Sequence, residues 1–173
     1  MMKNFMPPLV LMTVCIIVSG LLAFANDLTL PKIEKAQQEK LQTSLNEVFG
    51  EADYKVSELS FDGITQIITD DKKRAIFDIT VDGYAKDGIQ TLIGIDENGE
   101  ICGISIVSIA ETAGLGTKVQ NKAYLSNYIG LSSPEFSSDT IITGATYSSK
   151  GMQKAVSIAL DTYSANKEAI IGE

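Results

Sequence analysis

The apolar residues of the chain form an unbroken run near the N-terminus. No charged residue occurs from Phe5 to Ala25, and the sequence PPLVLMTVCIIVSGLLAFA supplies 19 mostly apolar residues in succession. At a rise of 1.5 Å per residue, a helix of this length spans roughly the ~30 Å hydrocarbon core of a bilayer. The run therefore predicts a membrane anchor or a signal peptide.

The flanks of this run favour a retained anchor with a cytoplasmic N-terminus. Ala23–Ala25 fit a cleavage pattern, but the apolar region exceeds the roughly 7 to 15 residues usual for a signal peptide. Lys3 precedes the run, and Asn26 and Asp27 follow it. We therefore expect a single-pass protein of the cell inner (cytoplasmic) membrane, with its soluble domain on the extracytoplasmic side. Cleavage of the segment is the alternative.

A helical pattern follows the apolar run. In TLPKIEKAQQEKLQTSLNEVFG, Thr29 is a candidate N-cap, Pro31 suits the first turn, and Gly50 suits the position after the last. One side of this helix is apolar, comprising Ile33, Ala36, Leu41, Leu45 and Val48. The pattern predicts a helix that connects the membrane anchor to the domain.

The middle of the chain has the alternation of a β-sheet. The stretches RAIFDITV and IQTLIGID alternate imperfectly and are rich in β-branched residues. Asn98 and Gly99 lie between two such runs, which is the strongest short signal for a hairpin. Residues 55–110 therefore predict an antiparallel meander of about four or five strands.

The last third of the chain predicts a short helix at about 120–129 and a long helix at the C-terminus. Ser148 or Ser149 is the candidate cap of the long helix. Its apolar residues recur at helical spacing, namely Met152, Ala155, Val156, Ala159, Leu160 and Tyr163.

The predicted fold class is α+β, an antiparallel sheet with packed helices, preceded by one N-terminal transmembrane helix. We divide the chain into a membrane anchor at 1–27, a connecting helix at 28–50 and a domain at 51–173.

Composition excludes several kinds of function. Beyond residue 25 the chain carries 13 Lys+Arg against 22 Asp+Glu, a balance of −9, which argues against nucleic-acid binding. The absence of histidine from all 173 residues excludes Ser-His-Asp catalysis, histidine-ligated haem and the usual zinc hydrolase sites. Cys15 lies in the apolar run and Cys102 in a predicted strand, so a disulfide framework is not expected. We predict no metal site and no catalytic residue.

The start of the long helix has the composition of a phosphate site. The first backbone amides of a helix lack partners, and a phosphate placed there accepts hydrogen bonds from them. In DTIITGATYSSKGM, residues 139–152, Ser148, Ser149 and Lys150 can supplement those amides. Gly144 and Ala145 have small side chains that permit close approach of a bulky ligand. An ordinary capping turn would give the same pattern.

A second candidate loop follows the last predicted strand. ETAGLGTKV, residues 111–119, places two glycines and two threonines at a sheet edge. Such a loop can cover a flat ring and donate backbone amides to its polar edge. A flexible connection is again the alternative reading.

In this order, the two stretches resemble a known family. A strand hairpin, a loop close to ETPGLG and then an S/T-G-A-T-x-S/T-S motif that opens a helix are similar to the FMN-binding domain of the Rnf electron transport complex G subunit. The related C subunit of the sodium-translocating NADH:quinone oxidoreductase shares the pattern. The single N-terminal anchor and the helix after it also resemble those proteins.

The resemblance implies a covalent cofactor. In the family the last threonine of the motif carries FMN through a phosphoester, and that position is Thr146; Thr143 takes the first place of the motif. The other motif residues that would bind the cofactor are Gly144, Ala145, Ser148, Ser149 and Lys150. The loop residues expected near the isoalloxazine ring are Glu111, Thr112, Gly114, Leu115 and Gly116. Ala113 replaces the usual proline, and a histidine often found before this loop is absent.

The family likeness predicts an electron-transfer subunit of an Rnf-type ion-translocating complex that has little activity in isolation. Its expected partners are the other membrane subunits and a flavin transferase that attaches the cofactor. A quinone-oxidoreductase C-type subunit and a free-standing extracytoplasmic electron carrier are the alternatives of the same chemistry. A module that binds FMN or another phosphorylated ligand noncovalently is an alternative of a different class.

Overall fold

A long helix, α1 (Met6–Phe49), begins the computed structural model, which describes residues 6–57, 59 and 61–172. By length and composition the helix can cross a membrane, and none of its most apolar 18-residue window is buried. The contacts divide the chain into one unit that ends at Leu41 and a second that starts at Gln42.

The prediction of a separate helix capped by Thr29 was wrong, because α1 continues through this point. The Thr29 hydroxyl donates to the carbonyl oxygen of Ala25 at 2.9 Å, as a threonine inside a helix can. Pro31 also lies within α1, where it removes one backbone donor without ending the helix. The predicted C-terminus is confirmed, since α1 ends at Phe49 and Gly50 adopts a φ of 80°.

Five antiparallel strands follow and form one sheet in chain order, which confirms the predicted meander. The strands are β1 (Lys55–Ser57), β2 (Gln66–Thr69), β3 (Ala75–Val81), β4 (Ile89–Ile95) and β5 (Ile101–Ile109). The hairpin predicted at Asn98 and Gly99 joins β4 to β5 and brings Ile95 opposite Ile101. The carboxylate of Asp96 accepts from the amides of Asn98 and Glu100, both at 2.9 Å, and Gly99 adopts a φ of 86°.

The C-terminal helix, α3 (Thr146–Ile171), packs on one face of the sheet. Its six residues predicted from helical spacing are all buried, against Ala75, Phe77, Ile79 and Val81 of β3 among others. This confirms the predicted helix and its core face. The cap prediction was wrong, because α3 begins at Thr146, with Ala145 at the N-cap, so Ser148 and Ser149 lie inside the first turn.

The last turns of α1 pack on the opposite face of the sheet. Leu45 and Phe49 are buried there, and a Cβ atom at Gly103 would approach the Phe49 ring to 2.8 Å. Arg74 donates from Nη2 to the Phe49 carbonyl oxygen at 2.8 Å and pairs with Asp70. The helix terminus is therefore held by a cation at its negative end.

The segment between β5 and α3 is built from short helical turns. The helix predicted at about 120–129 is divided into a 3₁₀ turn at Gly116–Gln120, α2 (Lys122–Leu125) and a second 3₁₀ turn at Ser126–Tyr128. A further 3₁₀ turn covers Ser138–Thr140. This segment places residues 111–116 beside the start of α3.

Candidate functional site

The N-terminus of α3 is shaped by a left-handed glycine. Gly144 adopts a φ of 84°, which a residue with a side chain rarely does, and turns the chain into the helix. Ala145 occupies the N-cap and provides no side-chain hydrogen bond to the helix. Helix geometry therefore leaves the amides of Thr146, Tyr147 and Ser148 without intrahelical acceptors. A negatively charged group placed at this end is favoured by these amides and by the helix dipole.

The loop after β5 lies next to this turn. A Cβ atom on Gly144 would lie 3.9 Å from Leu115 Cδ2, in ordinary van der Waals contact. Gly114 adopts a φ of 75°, and its amide donates to the Thr117 hydroxyl at 2.9 Å. Leu115 is 48% exposed, so an apolar side chain stands between the loop and the helix start.

A third segment, the β3–β4 loop at residues 82–88, completes the site and was not predicted. The amides of Tyr84 and Ala85 donate to the carboxylate of Glu111 at 3.1 and 3.0 Å. Tyr84 is 75% exposed and contacts the ring of Tyr147 edge-on, with 6.3 Å between centroids. The loop contains Gly83 and Gly88. No local pattern in the sequence indicates its partner Glu111, which lies 26 residues from Ala85.

These three segments enclose a cavity of about 310 Å³. This volume lies at the low end of the range for small-molecule sites. The cavity has both apolar walls and backbone polar groups. It is lined by Tyr84, Glu111, Thr112, Leu115, Gly116, Gly144, Ala145, Thr146, Tyr147 and Ser148.

Two larger clefts, of about 390 and 510 Å³, lie along residues 164–171, towards the other end of α3. Lys167 and Glu168 line both, so opposite charges alternate there. The C-terminal end of a helix also disfavours anions. The cavity at the N-terminus of α3 is therefore the better candidate for a phosphorylated ligand.

Eight of the twelve residues predicted from the sequence line the cavity together. They are Glu111, Thr112, Leu115, Gly116, Gly144, Ala145, Thr146 and Ser148. The other four, Thr143, Gly114, Ser149 and Lys150, belong to the same two segments but do not line it. Thr143, Gly114 and Lys150 are exposed, whereas Ser149 is fully buried.

The hydroxyl groups of the two segments separate into two kinds. Ser148 Oγ donates to Glu111 Oε2 at 2.5 Å, and Ser149 Oγ accepts from the amide of Ile142 at 3.0 Å. Both serines therefore join parts of the fold. Within the described part of the chain, by contrast, no residue hydrogen-bonds to the exposed hydroxyls of Thr112, Thr143 and Thr146. Among these three, Thr112 and Thr146 line the cavity.

Glu111 is buried, and its surroundings stabilise its charged form. Burial raises the pKa of the carboxyl group, but the hydrogen bonds from Ser148, Ala85 and Tyr84 together hold that pKa below its usual value. The carboxylate is therefore ionised at neutral pH and contributes a negative charge to one wall of the cavity.

The tyrosines differ in their access to the cavity. Tyr124 and Tyr128 are buried and bonded to each other through their hydroxyl groups at 2.7 Å. Tyr163 donates to the Asp96 carbonyl oxygen at 2.7 Å, in the β4–β5 turn. Of the described tyrosines, Tyr84 and Tyr147 line the cavity, and both are exposed. They are the aromatic side chains that can contact a ligand ring.

Two regions of the chain match known protein families. The model of the FMN-binding domain matches residues 83–161, and that of the RnfG N-terminal region matches residues 9–48. Two similar proteins are both named as the G subunit of an ion-translocating oxidoreductase complex. The protein of Vibrio vulnificus (strain YJ016) is 25% identical over 185 aligned positions, which cover 90% of this chain and 87% of the relative.

The protein of Shewanella piezotolerans (strain WP3 / JCM 13877) is 28% identical over 137 aligned positions. These cover 69% of this chain and 63% of the relative, slightly less than two thirds of its length. The family match at 83–161 contains every residue that lines the cavity.

Proposed function

We propose that this chain is a membrane-anchored flavoprotein that transfers electrons as one subunit of an Rnf-type ion-translocating oxidoreductase complex. The matches of residues 83–161 to the FMN-binding domain and of residues 9–48 to the RnfG N-terminal region support this proposal. Both named relatives are G subunits of ion-translocating oxidoreductase complexes. The partners are then the other membrane subunits of such a complex. We place the domain on the extracytoplasmic side, from the charges that flank the apolar run.

FMN is bound covalently at Thr146, through a phosphoester to the side-chain oxygen. The observation that carries this proposal is the position of that hydroxyl. Thr146 is the first residue of α3, it lines the cavity, and its hydroxyl has no partner within the described residues. A phosphate held there meets the unpaired amides at the start of the helix. The donor set of the cavity thus fits the phosphate end of the cofactor.

The remaining walls fit the ring end of the cofactor. Leu115, Tyr84 and Tyr147 provide apolar and aromatic surface around the cavity. When bound, FMN supplies the redox chemistry, and the protein orients the ring and adjusts its electrostatic surroundings. Thr143, Gly114, Ser149 and Lys150 lie in the same two segments without lining the cavity. Among them, Ser149 fixes the turn before the helix.

Attachment requires a separate flavin transferase that takes FMN from FAD with a divalent metal. In that reaction a bond forms between Thr146 Oγ and the FMN phosphorus, the pyrophosphate bond of FAD breaks, AMP leaves, and the threonine hydroxyl loses its proton. A covalent bond prevents loss of the cofactor outside the cytoplasm, where free FMN is scarce. It leaves the redox-active ring chemically unaltered.

A C-type subunit of a quinone oxidoreductase would use the same chemistry, as would a free-standing carrier. The match to the RnfG N-terminal region at residues 9–48 favours the Rnf-type assignment over both. Co-purification of the chain with its membrane partners separates the three.

The proposal predicts complete loss of covalent flavin on substitution of Thr146→Ala. The full-length protein, co-expressed with a flavin transferase, should give a fluorescent flavin band on a denaturing gel, and Thr146→Ala should give none. Thr143→Ala is the matched control, since it removes an exposed threonine hydroxyl three residues away that does not line the cavity. We expect Thr143→Ala to retain the band. A band of normal intensity in Thr146→Ala would refute the site.

A further inference from the structure

Three separate segments of the domain converge on the carboxylate of Glu111. From the β3–β4 loop, the Ala85 amide donates to Oε1 at 3.0 Å and the Tyr84 amide to Oε2 at 3.1 Å. From the first turn of α3, Ser148 Oγ donates to Oε2 at 2.5 Å. Glu111 itself lies in the loop after β5. One side chain therefore links all three walls of the cavity.

Three glycines surround the carboxylate of Glu111, and their lack of side chains leaves the space that the carboxylate occupies. A Cβ atom at Gly83 would lie 2.5 Å from Glu111 Oε1, and one at Gly88 would lie 2.6 Å from the same oxygen. A Cβ atom at Gly116 would lie 2.7 Å from both Glu111 Oε2 and Ser148 Oγ. Side chains at these positions would displace the carboxylate, so the carboxylate and the three glycines form one packed unit.

The partners of Glu111 also determine what it can do for a ligand. A carboxylate has about four lone-pair positions, and three of them accept hydrogen bonds from the protein. Ion pairs found in the described residues are Lys35 with Glu39 and Arg74 with Asp70, so no cation neutralises Glu111 there. Its charge is held by neutral donors and faces the cavity that it lines.

We propose that Glu111 is the positioning residue of the flavin site. Its carboxylate holds the β3–β4 loop and the first turn of α3 in the relative placement that orients the ring, and it adds one fixed negative charge to the surroundings of the ring. This assignment rests on the proposed function for the identity of the ligand. Glu111 acts on the attachment point through Ser148, two residues after Thr146 in the same helical turn. It acts on the ring wall through the backbone of Tyr84.

The test compares Glu111→Gln and Ser148→Ala with the wild type in the full-length protein in detergent. A glutamine at position 111 has one oxygen and one NH₂ group. At least one of the amides of Tyr84 and Ala85 would therefore face an NH₂ donor instead of an acceptor. Glu97→Gln is the matched control. It also removes one negative charge, but in the β4–β5 turn. This turn is bound by Tyr163 of α3, which donates to the Asp96 carbonyl oxygen and lies about 25 Å along the helix from Thr146. Far-UV circular dichroism checks the folding of each variant.

The first readout is amide hydrogen exchange of the protein without flavin. We expect the peptide that contains Tyr84 and Ala85 to exchange about tenfold faster in Glu111→Gln, because an amide that loses its acceptor opens more readily. Ser148→Ala should speed exchange in the first turn of α3, and Glu97→Gln should leave both regions unchanged. Unchanged exchange in both test variants would overturn the proposal.

The second readout is the flavin of the loaded protein, whose loading is measured by intact mass. We expect Glu111→Gln to raise the midpoint potential, because a nearby carboxylate charge opposes the addition of electrons. Ser148→Ala keeps that charge, so its potential should not rise, but its visible circular dichroism should change with the orientation of the ring. Potentials and spectra identical to the wild type in both variants would overturn the positioning role.

The two proposals fail in different ways. A wild-type protein that carries no flavin would refute the proposed function, and the exchange experiment would still test the link between the three segments. A wild-type protein with flavin on Thr146, together with silent Glu111 and Ser148 variants, would refute only the role of Glu111.

Discussion

Two buried carboxylates in the domain, Glu111 at the cavity and Asp78 in the sheet, have opposite environments. They are 9% and 1% exposed, respectively. Burial raises the pKa of Asp78 more than the hydrogen bonds from Gln90 and Gln66 lower it. At Glu111 the hydrogen bonds outweigh burial, and the pKa is lowered.

The difference lies in where the donors come from. Within the described residues, the carboxylate of Asp78 accepts from the side-chain amides of Gln66 and Gln90, at 3.0 to 3.1 Å. Glu111 accepts from two backbone amides and a serine hydroxyl, which the loops around the cavity hold in place. The Asp78 site satisfies a buried polar group, whereas the Glu111 site favours its charge. A preorganised charge beside a cavity is typical of a functional site.

The largest stability effect expected from this comparison is at the glycines around Glu111. Gly83→Ala would place a Cβ atom 2.5 Å from Glu111 Oε1, so we expect a loss of about 1–3 kcal/mol of unfolding free energy from overpacking. Denaturation of the full-length protein in detergent measures it. In a Glu111→Ala background the same change should cost less, by at least about 0.5 kcal/mol. Equal costs in the two backgrounds would show that the carboxylate is not what fills this space.

Neutral replacements of the two carboxylates should change the stability of the protein in opposite directions. Asp78→Asn removes a poorly stabilised charge, and Gln66 and Gln90 can turn their amide oxygens toward the new NH₂ group. At pH 7 we expect Asp78→Asn to raise the free energy of unfolding by up to about 1 kcal/mol. We expect Glu111→Gln to lower it by about 1 kcal/mol. The same denaturation measurement applies. Changes of equal sign in both variants would remove the distinction between the two sites.

The smallest expected effect is on the dependence of stability on pH. The lowered pKa of Glu111 contributes stability above its unfolded value of about 4.3, and this is lost as pH falls through the folded value. The raised pKa of Asp78 does the opposite, so stability falls as pH rises from about 3.9 through the folded value.

Melting temperatures between about pH 3 and 7 resolve the two contributions. Glu111→Gln should reduce the loss of stability toward acid relative to the wild type. Asp78→Asn should reduce the decline toward neutral pH. Profiles parallel to the wild type in both variants would contradict the assigned shifts.

Local patterns were sufficient for most of the fold. Alternation in β3 and β4 and the Asn98–Gly99 turn predicted the meander, and the spacing of Met152, Ala155 and Leu160 predicted the face of α3. These signals depend only on neighbours along the chain. The continuity of α1 could not be predicted, because Thr29 and Pro31 both favour the start of a helix, and α1 nevertheless continues through them.

The types of residue at the candidate site could be predicted from the sequence, whereas their spatial arrangement could not. Small and hydroxyl residues indicated both loops, but which hydroxyls are engaged depends on partners distant in sequence. Ser148 lies 37 residues from Glu111, and Tyr84 lies 27 residues away on the other side. Ser148 and Ser149 were predicted to supplement the helix amides at a phosphate. In the structure the hydroxyl groups of both serines form hydrogen bonds within the protein. Tyr84 was missed because no motif includes it.

The attachment of the cofactor to the hydroxyl of Thr146, which we propose, can be tested directly. Tryptic cleavage after Lys122 and Lys150 releases residues 123–150, which contain both Thr143 and Thr146. From protein made together with a flavin transferase, this peptide should weigh one FMN more than its sequence, less one water, and fragmentation should place the addition on Thr146. Recovery of the peptide only at its unmodified mass, or with FMN on another residue, would refute attachment at Thr146.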